Sequence, residues 1–263
     1  MASAPDSDPE LELDEHKADH TPEAIQRRLR SRPRQSYLSD WIYGAIDGTV
    51  TTFAVVSGVV GAQLAPGIVV ILGFANLFGD GFSMAVSNFL GTRADEQLRQ
   101  KQRRVERQHI ARYPAGEREE IRQIFAGKGF AGDTLEHIVE VITADEDRWV
   151  DTMLTDELGL PLEGRSPWHA AAATFASFIL VGVLPLLAYL YQVLAPATAR
   201  LEQPFLWSSL LTGIAFFTVG ALKSRVVEER FWRSGLETLL VGGSAAAIAY
   251  GIGVMLRGLA DAI

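Results

Sequence analysis

Two apolar runs, Trp41 to Leu64 and Gly67 to Leu90, joined by a tight Ala65-Pro66 turn, constrain this chain more than any other feature. About 20 helical residues rise ~30 Å, so each run is long enough to cross a bilayer. Yet Asp47 sits inside the first run, and Asn76, Asp80 and Met84 sit inside the second. An ionisable side chain at that depth costs roughly 2.5–3.5 kcal/mol on insertion scales, so it needs a compensating role. One such role is a partner within the helix bundle; the other is a path for ions.

The spacing bears on the choice. Asn76, Asp80, Met84 and Asn88 recur every fourth residue and form one slowly drifting stripe along a helix face. A thioether beside carboxylates is a poor site for magnesium or calcium but suits a softer divalent transition metal. Met84 taken alone fits ordinary packing, since methionine fills gaps in cores. Beside Asp47 and Asp80 it points to a metal path.

The 263 residues are 48% hydrophobic, with a mean hydropathy of +0.12, and the charges crowd outside a few apolar blocks. That pattern fits an all-α polytopic membrane protein with one polar insert. The formal charge of −8 hides segments of opposite sign. The chain has no cysteine, which excludes disulfides, zinc–thiolate sites and thiol catalysis. No cleavable leader is expected, because the N-terminus is acidic and polar.

Four regions follow. Residues 1–39 read as a disordered tail, acidic at first and then basic, with His16 and His20 as solvated side chains and five arginines between Arg27 and Arg34. Residues 40–92 hold the first two spans, 93–167 a cytosolic helical insert, and 168–263 three more spans. Those spans are Trp168–Leu194, kinked at Pro185, then Phe205–Leu222 and Leu236–Leu256. With the N-terminus inside, the insert and the Lys223–Gly235 loop also fall inside. The outer segments then carry only Arg200 and Arg257. The positive-inside rule therefore gives five spans with the C-terminus outside. Gly44, Gly48, Gly243, Ala247 and Gly251 offer places for close helix approach.

Within the insert, the second span is expected to continue as a helix over Ala94–Arg112, broken at Tyr113-Pro114. A helix over Glu117–Ala126 follows, and capping boxes at Asp133–Glu136 and Thr143–Glu146 open two more. Glu106 and His109 lie three apart, as do Glu117 and Glu120, while Met153 and Glu157 lie four apart; each pair shares a helix face. Carboxylate, imidazole and thioether together suit a ferrous or manganous ion, though any single pair also fits a solvated charged face.

These residues resemble the vacuolar iron transporter family of proton-coupled ferrous and manganous exporters. The likeness lies in Asp47-Gly48 and the Thr/Phe-rich run after it, in Gly81–Ala85, and in Trp149–Leu160 of the insert, and it covers about Ser39 to Ile263. It implies a five-span homodimer in a lipid bilayer, with a cytosolic metal-binding helical domain and a path between subunits. Metal would leave the cytosol there in exchange for protons. It further implies that Asp47 and Met84 are path ligands, and that Glu106, Glu117, Glu120, Glu157 and Met153 are insert ligands. Three positions depart from the family pattern: Asn76 and His109 stand where glutamate is usual, and Leu154 where a second methionine is. The loss of a carboxylate at Asn76 removes one proton acceptor unless Asp80, one turn on, takes the work.

The expected cargo is Fe2+, with Mn2+ and Zn2+ as alternatives, and no resident cofactor is implied. The membrane is expected to be a bacterial inner membrane, from the Ala- and Arg-rich composition and a bacterial-type membership, although relatives in plants and fungi are vacuolar. An enzyme is not expected. Glu106-Arg-Gln-His109 matches one Glu-x-x-His element of a di-iron oxidase, but the chain has no second. A metal-responsive membrane sensor or scaffold is the alternative reading, and it leaves Asp47 at mid-bilayer unexplained. No nucleic-acid partner is expected, because the arginine clusters flank spans.

Overall fold

The computed structural model describes residues 17–18, 20–30, 36–227 and 229–260. The chain divides into two units, residues 1–36 and 37–263. In the first, helix α1 (Pro22–Arg30) occupies part of the stretch read as a disordered tail. Its start is locally encoded: Pro22 takes the first helical position, Glu23 is acidic in the first turn, and the Thr21 hydroxyl accepts a hydrogen bond from the Ala24 amide at 3.3 Å. The acidic residues up to His16, together with Arg32 and Arg34, lie outside the described residues.

The second unit is all-helical among the described residues. Helices α2 (Leu38–Gly61) and α3 (Pro66–Arg112) form an antiparallel hairpin. Its turn is tight because the amides of Gln63 and Leu64 bond back to the carbonyls of Val60 and Val59, with Gln63 left-handed at φ 57°. Helix α3 runs unbroken for 47 residues, about 70 Å of rise, from apolar stretch to polar extension. It stops at Tyr113, whose φ of −142° is the extended geometry that a following proline imposes.

Four helices are long and apolar enough to cross a membrane: α2, α3, α9 (Pro204–Val227) and α10 (Phe231–Ala260). The pair α7 (Pro167–Gly182) and α8 (Leu184–Leu194), bent by 49°, is long and apolar enough for a fifth crossing when the two helices are taken as one span. The bend falls where expected, since Pro185 lacks an amide hydrogen and crowds the preceding turn. The Ser208 hydroxyl of α9 donates to the Pro185 carbonyl at 2.6 Å.

Helix α2 is the hub of the bundle, packed against α7, α10, α3 and α9. Phe53, Val56, Leu77, Phe178, Leu186 and Phe216 form its core. Gly48 makes the α2–α7 crossing possible: a Cβ there would lie 2.5 Å from the Phe178 carbonyl oxygen. Gly44 also faces α7. Gly243 and Gly251, by contrast, have open space beside them, and the close α2–α10 approach uses Gly253 against Gly58.

The insert comprises α4 (Pro114–Gly127), α5 (Gly132–Thr143), α6 (Glu146–Thr152) and a π-helical turn, Met153–Glu157. Ile121, Leu135, Val139, Ile142, Trp149 and Met153 form its apolar core. Neither expected capping box forms as read. Helix α5 starts at Gly132, whose φ of 58° sets the entry, and Glu136 is drawn to the Arg122 guanidinium at 2.8 and 2.9 Å. Thr143 ends α5 instead of capping α6. Asp145 caps α6, its carboxylate accepting from the Arg148 amide at 2.8 Å.

Candidate functional site

Two groups of polar side chains answer to the sequence expectations, one in the hairpin and one in the insert. In the hairpin, Asp47 of α2 and Asp80 of α3 lie close enough for their negative charges to repel. Both are half-buried. Asn76, one turn beyond Asp80, has its amide nitrogen buried without a hydrogen-bond partner. Met84 packs at the edge of the bundle core, so its thioether serves packing as well as lying on the Asp80 face. The fourth member of the stripe, Asn88, turns to other work. Its amide nitrogen donates to Asp40 at 2.9 Å, to the Thr174 hydroxyl at 2.7 Å and to the Ala170 carbonyl at 3.3 Å.

In the insert, one ligand atom each from Glu106, His109 and Glu117 falls within a sphere where all lie within 4.8 Å of one another. Glu106 and His109 come from the extension of α3, and Glu117 from the first turn of α4. The chain reversal at Tyr113-Pro114 folds one pair onto the other. Glu106 and Glu117 are buried, at 5% and 7% exposure, whereas His109 is at the rim. His109 Nδ1 stands 3.6 Å from one Glu117 oxygen, and the other Glu117 oxygen is buried with no partner. An orphaned carboxylate oxygen inside such a cluster is costly unless a cation joins it.

The electrostatics agree. Burial, and then the carboxylates of Glu120 and Glu106, push the Glu117 carboxyl up to about 7. Burial also raises Glu106, with Glu157 adding to it and His109 opposing, and it raises Glu157, with Glu120 adding. Five expected residues (Glu106, His109, Glu117, Glu120 and Glu157) therefore share one field. Met153 is fully buried in the insert core with Ile121, Leu135, Val139 and Trp149. Arg103 pairs with Asp151 of α6 at 2.7 Å, and Lys128 holds Asp156 of the π-helical turn at 2.6 Å. Arg107 ties α3 to α6 through Asp147, at 2.6 Å.

Buried Glu106 and Glu117, with the His109 imidazole at their rim, form a ligand set that can hold a divalent cation, and the hairpin offers two more carboxylates within an apolar layer. A family model described as VIT family matches residues 38–254. The chain belongs to the VIT family. Among relatives of this VIT chain, a protein of Toxoplasma gondii named vacuolar iron transporter is 27% identical over 247 residues, covering 92% of this chain and 78% of its own length. A protein of the same name from Plasmodium berghei is 29% identical and covers 85% of this chain and 83% of its own. Vacuolar iron transporter 1 of Eucalyptus grandis is 28% identical, with 86% and 92% covered. None of these three relatives is bacterial, so they lend no support to a bacterial-type member. Together, the apolar helices of bilayer length and the family make this an integral membrane protein.

Sequence reasoning missed Asp40, Arg165, Tyr37 and Thr174. Asp40 is buried at the start of α2, ion-paired with Arg165 from the strap before α7 and hydrogen-bonded to Asn88. The one available signal was the acidic residue opening an apolar run, which reads equally well as a helix-start charge.

Proposed function

We propose that this protein moves a divalent transition metal, Fe2+ foremost and Mn2+ next, out of the cytosol in exchange for protons. Its relatives' names support a transporter of divalent metal. The observation that carries the reading is the pairing of Asp47 with Asp80 inside a bilayer-length hairpin, beside an insert in which Glu106, His109 and Glu117 offer ligand atoms within 4.8 Å of one another. The insert lies on the cytosolic side with the N-terminus, and the C-terminus lies outside. Glu106, His109, Glu117, Glu120 and Glu157 gather the ion at the membrane mouth. Asp47 and Asp80 then hold it within the hairpin, with Met84 favouring transition metals over magnesium and calcium.

Release follows from proton competition. A carboxylate that takes a proton from the far side loses its charge and its grip on the ion, so metal and proton occupy the same oxygens in turn. With Asn76 uncharged, Asp80 is the second proton acceptor. A homodimer completes the path: Asp47 is half-open in a single copy, and Phe78, Phe82 and Leu90 on α3 are exposed beside it. A second copy on that face encloses the polar line.

The test is flux into liposomes carrying a metal-sensitive dye under an imposed pH gradient. Fe2+, Mn2+ and Zn2+ are each offered to wild type, Asp47→Ala and Met84→Ala. Gradient-dependent flux is expected in wild type, abolished in Asp47→Ala and reduced with altered metal preference in Met84→Ala. Absence of wild-type flux, with metal still bound, replaces this reading with a metal-responsive sensor or scaffold.

A further inference from the structure

Asp40 is a buried carboxylate with no part in the path described so far. It sits seven residues, two turns or about 10 Å, before Asp47 on the same face of α2. On the antiparallel helix, Asn88 lies two turns from Asp80 toward the insert. The hairpin therefore repeats itself: Asp40 opposite Asn88 nearest the insert, and Asp47 opposite Asp80 deeper in.

Two observations mark this upper level as a cation position. First, three oxygens, from Asp40, the Ala170 carbonyl and the Thr174 hydroxyl, converge within 2.7–3.3 Å of the Asn88 amide nitrogen, which has only two hydrogens to give. A carboxylate, a carbonyl and a hydroxyl oxygen, the types that bind hard divalent cations, thus gather about one point. Second, a cation already occupies the carboxylate: the Arg165 guanidinium is ion-paired with Asp40 and lies 5.5 Å over the Tyr37 ring. Asp40 is 8% exposed and Arg165 41%, so the anion is fixed in the protein while the cation is on a half-solvated arm. Arg165 also lines a cleft of about 260 Å³ with Asp95, Glu96, Arg99 and Glu163, where the insert meets the bundle. An ion leaving the insert meets this acidic cleft first, then Arg165, then Asp40.

We propose that Asp40 is a divalent-cation site at the head of the path, held shut by the tethered guanidinium of Arg165 until an incoming ion displaces it. The exchange is of one cation for another on the same carboxylate. The buried anion never goes uncompensated, and the path closes when no ion is present. Arg165 belongs to the strap that follows the π-helical turn, so the plug is carried by the segment that leaves the metal-gathering cluster. The proposal rests on the transport reading for its direction, but the site itself is testable without transport.

Full-length protein in detergent is unfolded thermally with and without Mn2+, as wild type, Arg165→Gln, Arg165→Lys and Asp40→Asn/Arg165→Gln. Removing the plug strands a buried charge, so Arg165→Gln is expected to melt roughly 5–10 °C lower without metal. Mn2+ should recover most of that loss beyond the response the insert gives in every variant. Arg165→Lys and the double variant should show only the wild-type response. In liposomes, Arg165→Gln should lower the half-saturating Mn2+ for flux severalfold. Asp40→Asn alone, which strands no charge, should raise it at least tenfold.

An Arg165→Gln protein whose Mn2+ response equals that of wild type, or an extra response that survives loss of Asp40, overturns the proposal. Should Arg165→Gln fail to fold, an unchanged half-saturating Mn2+ in Asp40→Asn overturns it equally. Extra Mn2+ recovery in Arg165→Gln with no flux from wild type leaves the Asp40 site standing and sinks the transport reading instead.

Discussion

Glu117 sets a stability cost in the folded protein at neutral pH and above. In the unfolded chain its carboxyl titrates near 4.5; in the fold, burial and the neighbouring carboxylates push it up to about 7. The folded state thus holds this proton more tightly than the unfolded one. The sign follows: the fold is unpenalised below pH 4.5, loses stability as pH rises from 4.5 to 7, and carries the whole penalty above 7. Moving the carboxyl from 4.5 to about 7 is worth about 3 kcal/mol. Glu117→Gln keeps the shape, removes the charge, and leaves an amide that can donate to the surrounding carboxylates. At pH 8, without metal, the variant is expected to be about 3 kcal/mol more stable than wild type, or roughly 6–12 °C in melting temperature. At pH 4.5 the two should melt together. The assay is thermal unfolding in detergent across pH 4.5–8, with chelator and then with Mn2+. Metal should raise wild type strongly at pH 8 and the variant weakly, so the order narrows or reverses. A Glu117→Gln protein that is destabilised equally at every pH would refute the reasoning, because it would make Glu117 a structural hydrogen-bonding residue.

Two further outcomes test the frame around that site. Gly48→Ala should cost about 3 kcal/mol in thermal unfolding, because its Cβ meets the Phe178 backbone 2.5 Å away; Gly243→Ala, with open space, should be neutral or up to about 1 kcal/mol stabilising. Arg103→Glu should weaken Mn2+ binding by about tenfold in calorimetry while scarcely moving stability, since the Arg103–Asp151 pair is half-exposed, and adding Asp151→Arg should restore the affinity.

What could be read in advance follows the range of the physics involved. The apolar runs, the Pro185 bend and the passage of α3 through Ala94–Arg112 depend on local periodicity and on proline chemistry, and the structure has each of them. The Glu106, His109 and Glu117 cluster was legible as two pairs on separate helices; the fold supplied the reversal at Pro114 that joins them. Met153 was a candidate ligand by type, but type does not reveal which side of a short helix faces the core. The Asp40–Arg165 pair joins residues 125 apart in sequence, and nothing local to either position announces the other. Gly253, not Gly243 or Gly251, makes the close α10 contact because the helix is rotated by its packing on α2.

The unbroken helix α3 makes the protein a lever. Met84 and Glu106 are 22 residues apart on one rigid rod, about 33 Å, with no hinge between them. Glu106 stands about 24 Å beyond Leu90, where the apolar stretch ends, so tilting the helix by about 10° within the bundle swings the metal-gathering cluster sideways by about 4 Å. The converse holds as well. A sideways displacement of the insert tilts the α3 stretch of the hairpin by a corresponding angle. The helix that carries Glu106 and His109 is thus also the one that carries Asp80 and Met84, and neither end moves alone.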